Sequence, residues 1–185
     1  DMSKEDSLIF QTAVNHNQLL EFTEEEVDPA DLAQIMEAAM AAPSAYEEQP
    51  WPVFVAIEEE DKEALISYMM PGSALKAKQA PVLIAVAGNI YGTKDRTFNY
   101  WSGFDAGAAW GYLALEAARL GYGVNFITAF DRNDIKREFA LEDEDFYDFY
   151  AIIALGHPKE GQAQSKAERM PLERVSLVRR IKKSW

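Results

Sequence analysis

SGFDAGAAWGYLALEAARLG, residues 102–121, is the stretch whose reading decides the fold. Gly103, Gly107 and Gly111 recur every four residues, so a helix places them on one stripe, with Ala108, Ala114, Ala117 and Ala118 nearby. A glycine in a helix interior costs about 1 kcal/mol relative to alanine. Three on one face need a physical reason, and close approach of another backbone is one. Two neighbours fit that description: another element of the same chain, or a second copy of the chain at a subunit interface. The spacing alone leaves both open. Trp110, Tyr112 and Leu113 point to other faces and are expected to fill the core. A membrane helix pair is excluded, because Asp105, Glu116 and Arg119 interrupt the stripe. Ser102 is expected to cap the helix, and Gly121 or Gly123 to stop it.

Outward from this helix the chain alternates. Residues 5–18 have helical spacing, and 22–27 form a loop carrying Glu24, Glu25 and Glu26. Asp28-Pro29 is a helix start, since Asp caps and Pro takes the first helical position. That helix runs Ala30–Ala41, with Leu32, Ile35, Met36 and Ala39 on one stripe, and Pro43 ends it. Residues 43–51 form a loop, and Pro52–Ile57 reads as a strand from its β-branched and aromatic content. A helix over Lys62–Met69, a break at Met70-Pro71-Gly72-Ser73, a helical turn or two over Ala74–Gln79 and a buried strand over Ala80–Ala87 follow. Asn89–Asn99 is expected to be a polar, mobile loop. After the glycine-spaced helix come a strand (Val124–Thr128), a short helix capped by Asp131, and an acidic loop (Glu142–Asp148). A strand over Phe149–Leu155, a polar linker over 159–168 and a final helix or strand over Ser176–Lys183 complete the order. Helices dominate and strands are interspersed, which makes an α+β sandwich around a mostly antiparallel or mixed sheet.

Composition bounds the function. The 185 residues suit one domain, 1–185, and 48% apolar content supports a real core. The absence of cysteine excludes disulfides, thiolate metal sites and cysteine nucleophiles. The longest apolar run, Ala80–Gly88, is less than half of a membrane span. The start, DMSKEDSLIF, is acidic and polar, unlike a secretory signal, so a cytoplasmic protein is expected. A formal net charge of −13 argues against nucleic acid and anionic membranes as partners. Seven of the 18 Lys and Arg residues fall within Lys166–Trp185, either as a solvated basic tail or as a segment that returns to an anion.

Several chemistries are missing. His16 and His157 are far apart and lack ligand spacing, so no metal site is expected. No Walker motif, GxGxxG or GxSxG occurs. The remaining candidate is Ala41–Trp51, AAPSAYEEQPW, where a helix stops at Pro43, presents Ser44 and free amides, and enters a strand. Such a loop either cradles a polar ligand or simply turns the chain.

These segments together resemble the nitroreductase family of FMN-dependent oxidoreductases. APSAYEEQPW is similar to the family pattern A-P-S-x-x-N-x-Q-P-W, and DPADLAQIMEAAMAAPS precedes it as in the family. DAGAA followed by LEAARLG resembles the family's central interface helix. AIIALGHP (Ala151–Pro158) resembles its last sheet strand, and RMPLE (Arg169–Glu173) its C-terminal segment. The resemblance implies a three-layer sandwich, an intertwined homodimer, and FMN at the subunit interface. It implies NAD(P)H as electron donor and a nitroaromatic, quinone or similar small molecule as acceptor. The flavin carries the chemistry, so no side chain is assigned as acid or base. By the same resemblance the cofactor-binding positions are His16, Asn17, Gln18, Pro43, Ser44, Ala45, Glu47, Thr128, Ala129 and Arg169. The extension 166–185 is expected to reach the partner subunit.

The phosphate-binding positions depart from the family. Its R-R-S-x-R-x-F motif reads His16-Asn17-Gln18-Leu19-Leu20-Glu21-Phe22 here, with every arginine replaced. Hydrogen bonds to a charged group are worth roughly 1.5–3 kcal/mol each, so losing two weakens FMN binding by about two to four orders of magnitude. Glu47 stands where the family has Asn, and Thr128-Ala129 where it often has Glu-Gly before Phe130. Three readings therefore stay open: an FMN oxidoreductase, a family-like dimer that has weakened or lost FMN and binds another ligand or partner, and an enzyme using a different flavin or deazaflavin.

Overall fold

The computed structural model describes residues 8, 9, 12, 21–49, 53–138, 147–162 and 174. Helix α1 spans Pro29–Met40. The Asp28 carboxylate accepts the Ala30 and Asp31 amides at 2.7 and 3.4 Å, and Pro29 sits in the first turn, where its missing N–H is harmless. The helix buries Leu32, Ile35 and Ala39. A single 3₁₀ turn over Ala45–Glu47 leads toward β1, Val53–Ala56. Helices α2 (Glu59–Ser67) and α3 (Pro71–Ala77) precede β2 (Val82–Asn89). Pro71 opens α3 rather than lying in a break before a helix at Ala74, because proline is tolerated in a first turn. Then come α4 (Ser102–Arg119), β3 (Gly123–Ile127), α5 (Arg132–Glu138) and β4 (Tyr147–Gly156).

The four strands form one sheet in the order β1-β2-β4-β3, and every pairing is antiparallel. All eight residues of β2 are buried, which requires cover on both faces. Val82, Ile84 and Val86 alternate onto one face with Ile153 and Leu155 of β4, where α1 and α4 pack through Ile35, Ala109 and Leu113. Leu83, Ala85 and Ala87 alternate onto the other face with Ile152 and Ala154, under Leu65, Ile66 and Ile135 of α2 and α5. The result is a helix–sheet–helix sandwich with two cores, as the α+β reading required. Tyr147 and Asp148, expected in an acidic loop, instead pair with Asn89 and Gly88. The helix expected over 5–18, the acidic loop before Tyr147 and the element expected over 176–183 lie largely or wholly outside the described residues.

Helix α4 ends as its sequence says it should. Gly121 has φ +90°, its amide reaches Ala118 O at 3.1 Å, and the Tyr122 amide reaches Ala117 O at 2.9 Å. This is the Schellman arrangement, in which a left-handed glycine satisfies the last carbonyls. The helix start differs from expectation. Trp101 occupies the cap position, and Ser102 is the first helical residue, buried, with its Oγ accepting the Tyr150 hydroxyl at 2.9 Å. No side chain caps the helix; just before it, the Asn99 side chain accepts the Trp101 amide at 3.1 Å in a local turn.

The glycine stripe packs tightly against nothing among the described residues. A Cβ built on Gly107 or Gly111 meets nothing within 4 Å, and one on Gly103 makes only an ordinary 3.5 Å contact with the Tyr150 ring. Tyr112, expected in the core, is 45% exposed. The close approach lies elsewhere, at Gly88, where a Cβ would collide with Ser102 Oγ and come within 2.6 Å of the Tyr150 ring. A bulge causes it: Val86 pairs with Ala151 but Ala87 with Phe149, leaving Tyr150 as an extra residue in β4. The bulge turns Phe149 toward the α2–α5 core and packs Tyr150 against the α1–α4 core. Among the described residues no helix is long and apolar enough to cross a membrane.

Candidate functional site

Pro43 cannot continue α1, and the chain leaves the helix as an extended Ser44 followed by the 3₁₀ turn. Tyr46, Glu47 and Gln49 all have positive φ, at 56°, 54° and 46°. A left-handed conformation costs a non-glycine residue roughly 1–2 kcal/mol. Three in four residues make this the most strained backbone among the described residues, and such strain persists only where surrounding contacts fix it. The contacts are present. Asp105 of α4, 3% exposed, accepts the Ala45 amide on Oδ2 at 3.1 Å. Ser44 O accepts the Glu47 amide at 3.2 Å, and Ser44 Oγ accepts the Gln49 amide at 3.0 Å. Glu48 Oε2 accepts the Thr93 amide at 3.0 Å and the Thr93 hydroxyl at 2.6 Å. Those two bonds hold the Glu48 carboxyl below its ordinary range.

A cavity of about 330 Å³ opens beside this loop, between Pro43, Ser44 and Ala45 on one side and Trp101, Phe104 and Ala108 on the other. Its walls are mainly apolar. The donors left at its edge are neutral: the Ser44 hydroxyl, and the Ser44 and Tyr46 amides, which donate to nothing among the described residues. Glu47 is exposed and occupies a left-handed position that asparagine adopts more readily.

Four of the expected binding positions, Pro43, Ser44, Ala45 and Glu47, thus share one rigid loop. Thr128 and Ala129 lie in a different place, at the end of β3. They are exposed, with Ala129 O accepting the Met70 amide at 2.9 Å and Asp131 N donating to Tyr68 O at 2.8 Å. Their own amides donate to nothing among the described residues. The Ser44 cavity does not include them. His16, Asn17, Gln18 and Arg169 lie outside the described residues.

The chain that leads to those two groups is described at its near ends. Phe22 bridges Pro158, the Thr23 amide reaches His157 O at 2.9 Å, and the Lys159 amide reaches Glu21 O at 2.9 Å. Gln162 grips Glu21 on both sides, accepting its amide at 2.7 Å and donating to its carbonyl at 2.8 Å. The segments before Glu21 and after Gln162 therefore leave the body from one clip. On the neighbouring surface the Tyr122 hydroxyl donates to Asp31 Oδ2 at 2.7 Å, and burial together with that carboxylate raises its pKa. The His157 ring lies 4.5 Å from the Tyr122 ring.

Sequence reasoning missed Asp105, which anchors the loop, and the Glu48–Thr93 tie. The signal for Asp105 was present: a carboxylate beside Ala106 and Ala109 on the inward face of α4 must find a donor. The tie had no sequence signal, because its two residues are 45 positions apart.

Comparison with known proteins places these features in a family. The model of the nitroreductase family matches residues 21–157. A Streptomyces coelicolor protein provisionally named as a NADH dehydrogenase/NAD(P)H nitroreductase is 26% identical over 171 residues, covering 82% of this chain and 84% of its own length. A crystal structure described as an oxidoreductase containing FMN superimposes with a TM-score of 0.83 at 25% identity, covering 94% of this chain and 92% of that one. A provisionally assigned nitroreductase of Exiguobacterium sibiricum, solved in complex with FMN, gives a TM-score of 0.79 at 18% identity over 92% and 97% of the two chains. With its α+β sandwich, its strained Pro-Ser loop and a family match spanning most of its length, this chain belongs to the nitroreductase family.

Proposed function

We propose that the protein is an FMN-dependent oxidoreductase that takes reducing equivalents from NAD(P)H and passes two electrons to a small nitroaromatic, quinone or similar acceptor. The observation that carries this reading is the Pro43–Gln49 loop, held in a strained shape by Asp105 and Thr93 while its Ser44 and Tyr46 donors stay unused. The donor set fits a flavin ring, whose edge presents carbonyl and ring-nitrogen acceptors. The unused Thr128 and Ala129 amides lie away from this chain's Ser44 cavity, so in this reading they meet the flavin together with the Pro-Ser loop of a second copy. FMN, when bound, supplies the hydride and electron chemistry. The protein's part is to bind, orient and shield. Ser44 offers its hydroxyl and amide, Asp105 keeps Ala45 and hence Ser44 in place, and Trp101, Phe104 and Ala108 form an apolar wall that excludes water. Glu47 opposes negative charge developing nearby, so its exposed, outward placement matters.

The same reading takes the protein as one domain over 1–185 that works as a homodimer. The open face of α4, with Phe104 75% exposed and Gly107 and Gly111 bare, is where the second copy fits. The extension 166–185 reaches that partner, and Arg169 with His16, Asn17 and Gln18 holds the phosphate. A cytoplasmic location, where NAD(P)H is supplied, goes with this reading. The test is the visible spectrum of the purified protein together with quenching of added FMN fluorescence. A colourless protein that leaves FMN fluorescence unchanged supports the second reading, a family-like dimer that has lost FMN, which the replaced arginines at 16–20 favour.

A further inference from the structure

A second cavity, of about 430 Å³, lies between the Pro43–Gln49 loop and residues 90–101. Its walls include Tyr46, Phe98, Tyr100 and Trp101, which are 82%, 68%, 77% and 45% exposed. Tyr100 and Trp101 stand nearly perpendicular, at 87° with centroids 5.4 Å apart, so their faces form a corner. The segment that carries Phe98, within the expected polar loop Asn89–Asn99, is bridged internally. Tyr91 bridges Phe98, the Gly92 amide reaches Thr97 O at 2.8 Å, and the Arg96 amide reaches Gly92 O at 3.0 Å.

Two carboxylates line the same cavity, and both are fixed in the same way. Thr93 donates its amide and hydroxyl to Glu48 Oε2, and Thr97 donates its amide and hydroxyl to Asp95 Oδ1 at 3.0 and 2.8 Å. These bonds leave Glu48 Oε1 open, and the Asp95 carboxylate is further held by its own backbone amide. The threonine bonds hold both carboxyls below their ordinary ranges, so both are charged at neutral pH. Lys94 is the one cationic side chain among the described residues lining the cavity.

Aromatic faces carry negative quadrupole charge, and pinned carboxylates add full charge beside them. An anion meets repulsion from both carboxylates. A neutral ring gains the stacking alone, and Lys94, which interacts with Glu48, offsets one of the two negative charges. A flat cation gains the stacking and answers the charge that remains. We propose that this cavity binds a planar aromatic cation of the N-alkylpyridinium or N-alkylquinolinium class, its ring against Tyr46, Tyr100 and Trp101 and its charge toward Glu48 and Asp95. Tyr46 and Trp101 also line the Ser44 cavity, so the bound ring lies next to the flavin position inferred above. Under that reading a reducible cation is an electron acceptor, but the binding claim does not depend on flavin.

The test is calorimetric titration of the full chain at low salt, without flavin or NAD(P)H, using N-methylquinolinium as probe. Uncharged quinoline at mildly alkaline pH is the neutral control, and 2-naphthoate the anionic one. The expected result is saturable binding of the cation about tenfold tighter than quinoline, with no binding of naphthoate. E48Q and D95N keep an acceptor for their threonines and remove the charge, so each lowers cation affinity about fivefold and leaves quinoline unchanged. Tyr100→Ala lowers both. Equal affinity for cation and quinoline, no binding of the cation, or an E48Q/D95N double variant that binds the cation unchanged overturns the proposal. If the double variant does not fold, the cation-to-quinoline ratio of the parent protein alone decides.

Discussion

Replacing Gly107 and Gly111 together by alanine separates two roles for α4 that sequence spacing leaves joined. Among the described residues of one chain neither new methyl meets an atom within 4 Å, so none of them opposes the change. Both positions lie inside the 18-residue helix, where alanine is favoured over glycine by about 1 kcal/mol each. The isolated chain should therefore gain about 2 kcal/mol, which for a chain of 150–250 residues raises Tm by about 4–8 °C. If the bare stripe faces a second copy, the same methyls stand between two backbones and weaken the dimer. Sedimentation equilibrium and thermal unfolding, run on the same samples across a concentration series, read both quantities. The expected outcome is a rise in unfolding temperature at low concentration with a larger dimer dissociation constant. A dimer of undiminished affinity would refute the close-approach reading and leave the stripe as plain surface.

Asp105→Ala leaves the Ala45 amide without its acceptor. An unpaired part-buried amide costs about 1–3 kcal/mol, seen as a lower denaturation midpoint and faster exchange at Ala45, with Asp105→Asn milder because its oxygen can still accept. Acid should release the Glu48 tie. A carboxyl whose folded pKa is depressed contributes stability that is present above its ordinary value of 4.5 and is lost as pH falls through the lower folded value. Protection of the Thr93 amide against hydrogen exchange, corrected for intrinsic rate, should therefore fall in that acidic window and stay flat at neutral pH. His16→Arg with Leu20→Arg should tighten FMN by about two orders of magnitude while riboflavin, which lacks the phosphate, is unchanged. A parallel gain for riboflavin would show that these positions do not meet the phosphate.

The sandwich was legible because its signals are local. Asp28-Pro29, Gly121 and Asp131 punctuate helices through side-chain and backbone geometry within a few residues. The alternation of Val82–Asn89 could not be split between two faces from sequence, because every residue before Asn89 is apolar or glycine and all eight are buried. The β4 bulge was invisible for another reason. An extra residue in one strand is defined only against its partner, and Gly88 makes sense only once Ser102 and Tyr150 are placed above it. The spacing of the glycine stripe asks for a close neighbour, and among the described residues none comes within 4 Å of a Cβ at Gly107 or Gly111. At the site, the Pro-Ser loop stood out from its own residues as either a cradle or a turn, and only family resemblance pointed to Thr128-Ala129. Asp105, Thr93 and the Gln162 clip join residues distant in sequence, and no single-sequence pattern encodes such pairs.

Flavin binding by a chain that lacks the family's arginines at 16, 17 and 20 is the central proposal. Titrating FMN with the purified protein and following quenching of flavin fluorescence tests it most directly. Saturable quenching with one FMN per chain, at an affinity in the micromolar range rather than tighter, is the predicted result. Fluorescence unchanged at millimolar protein would contradict it.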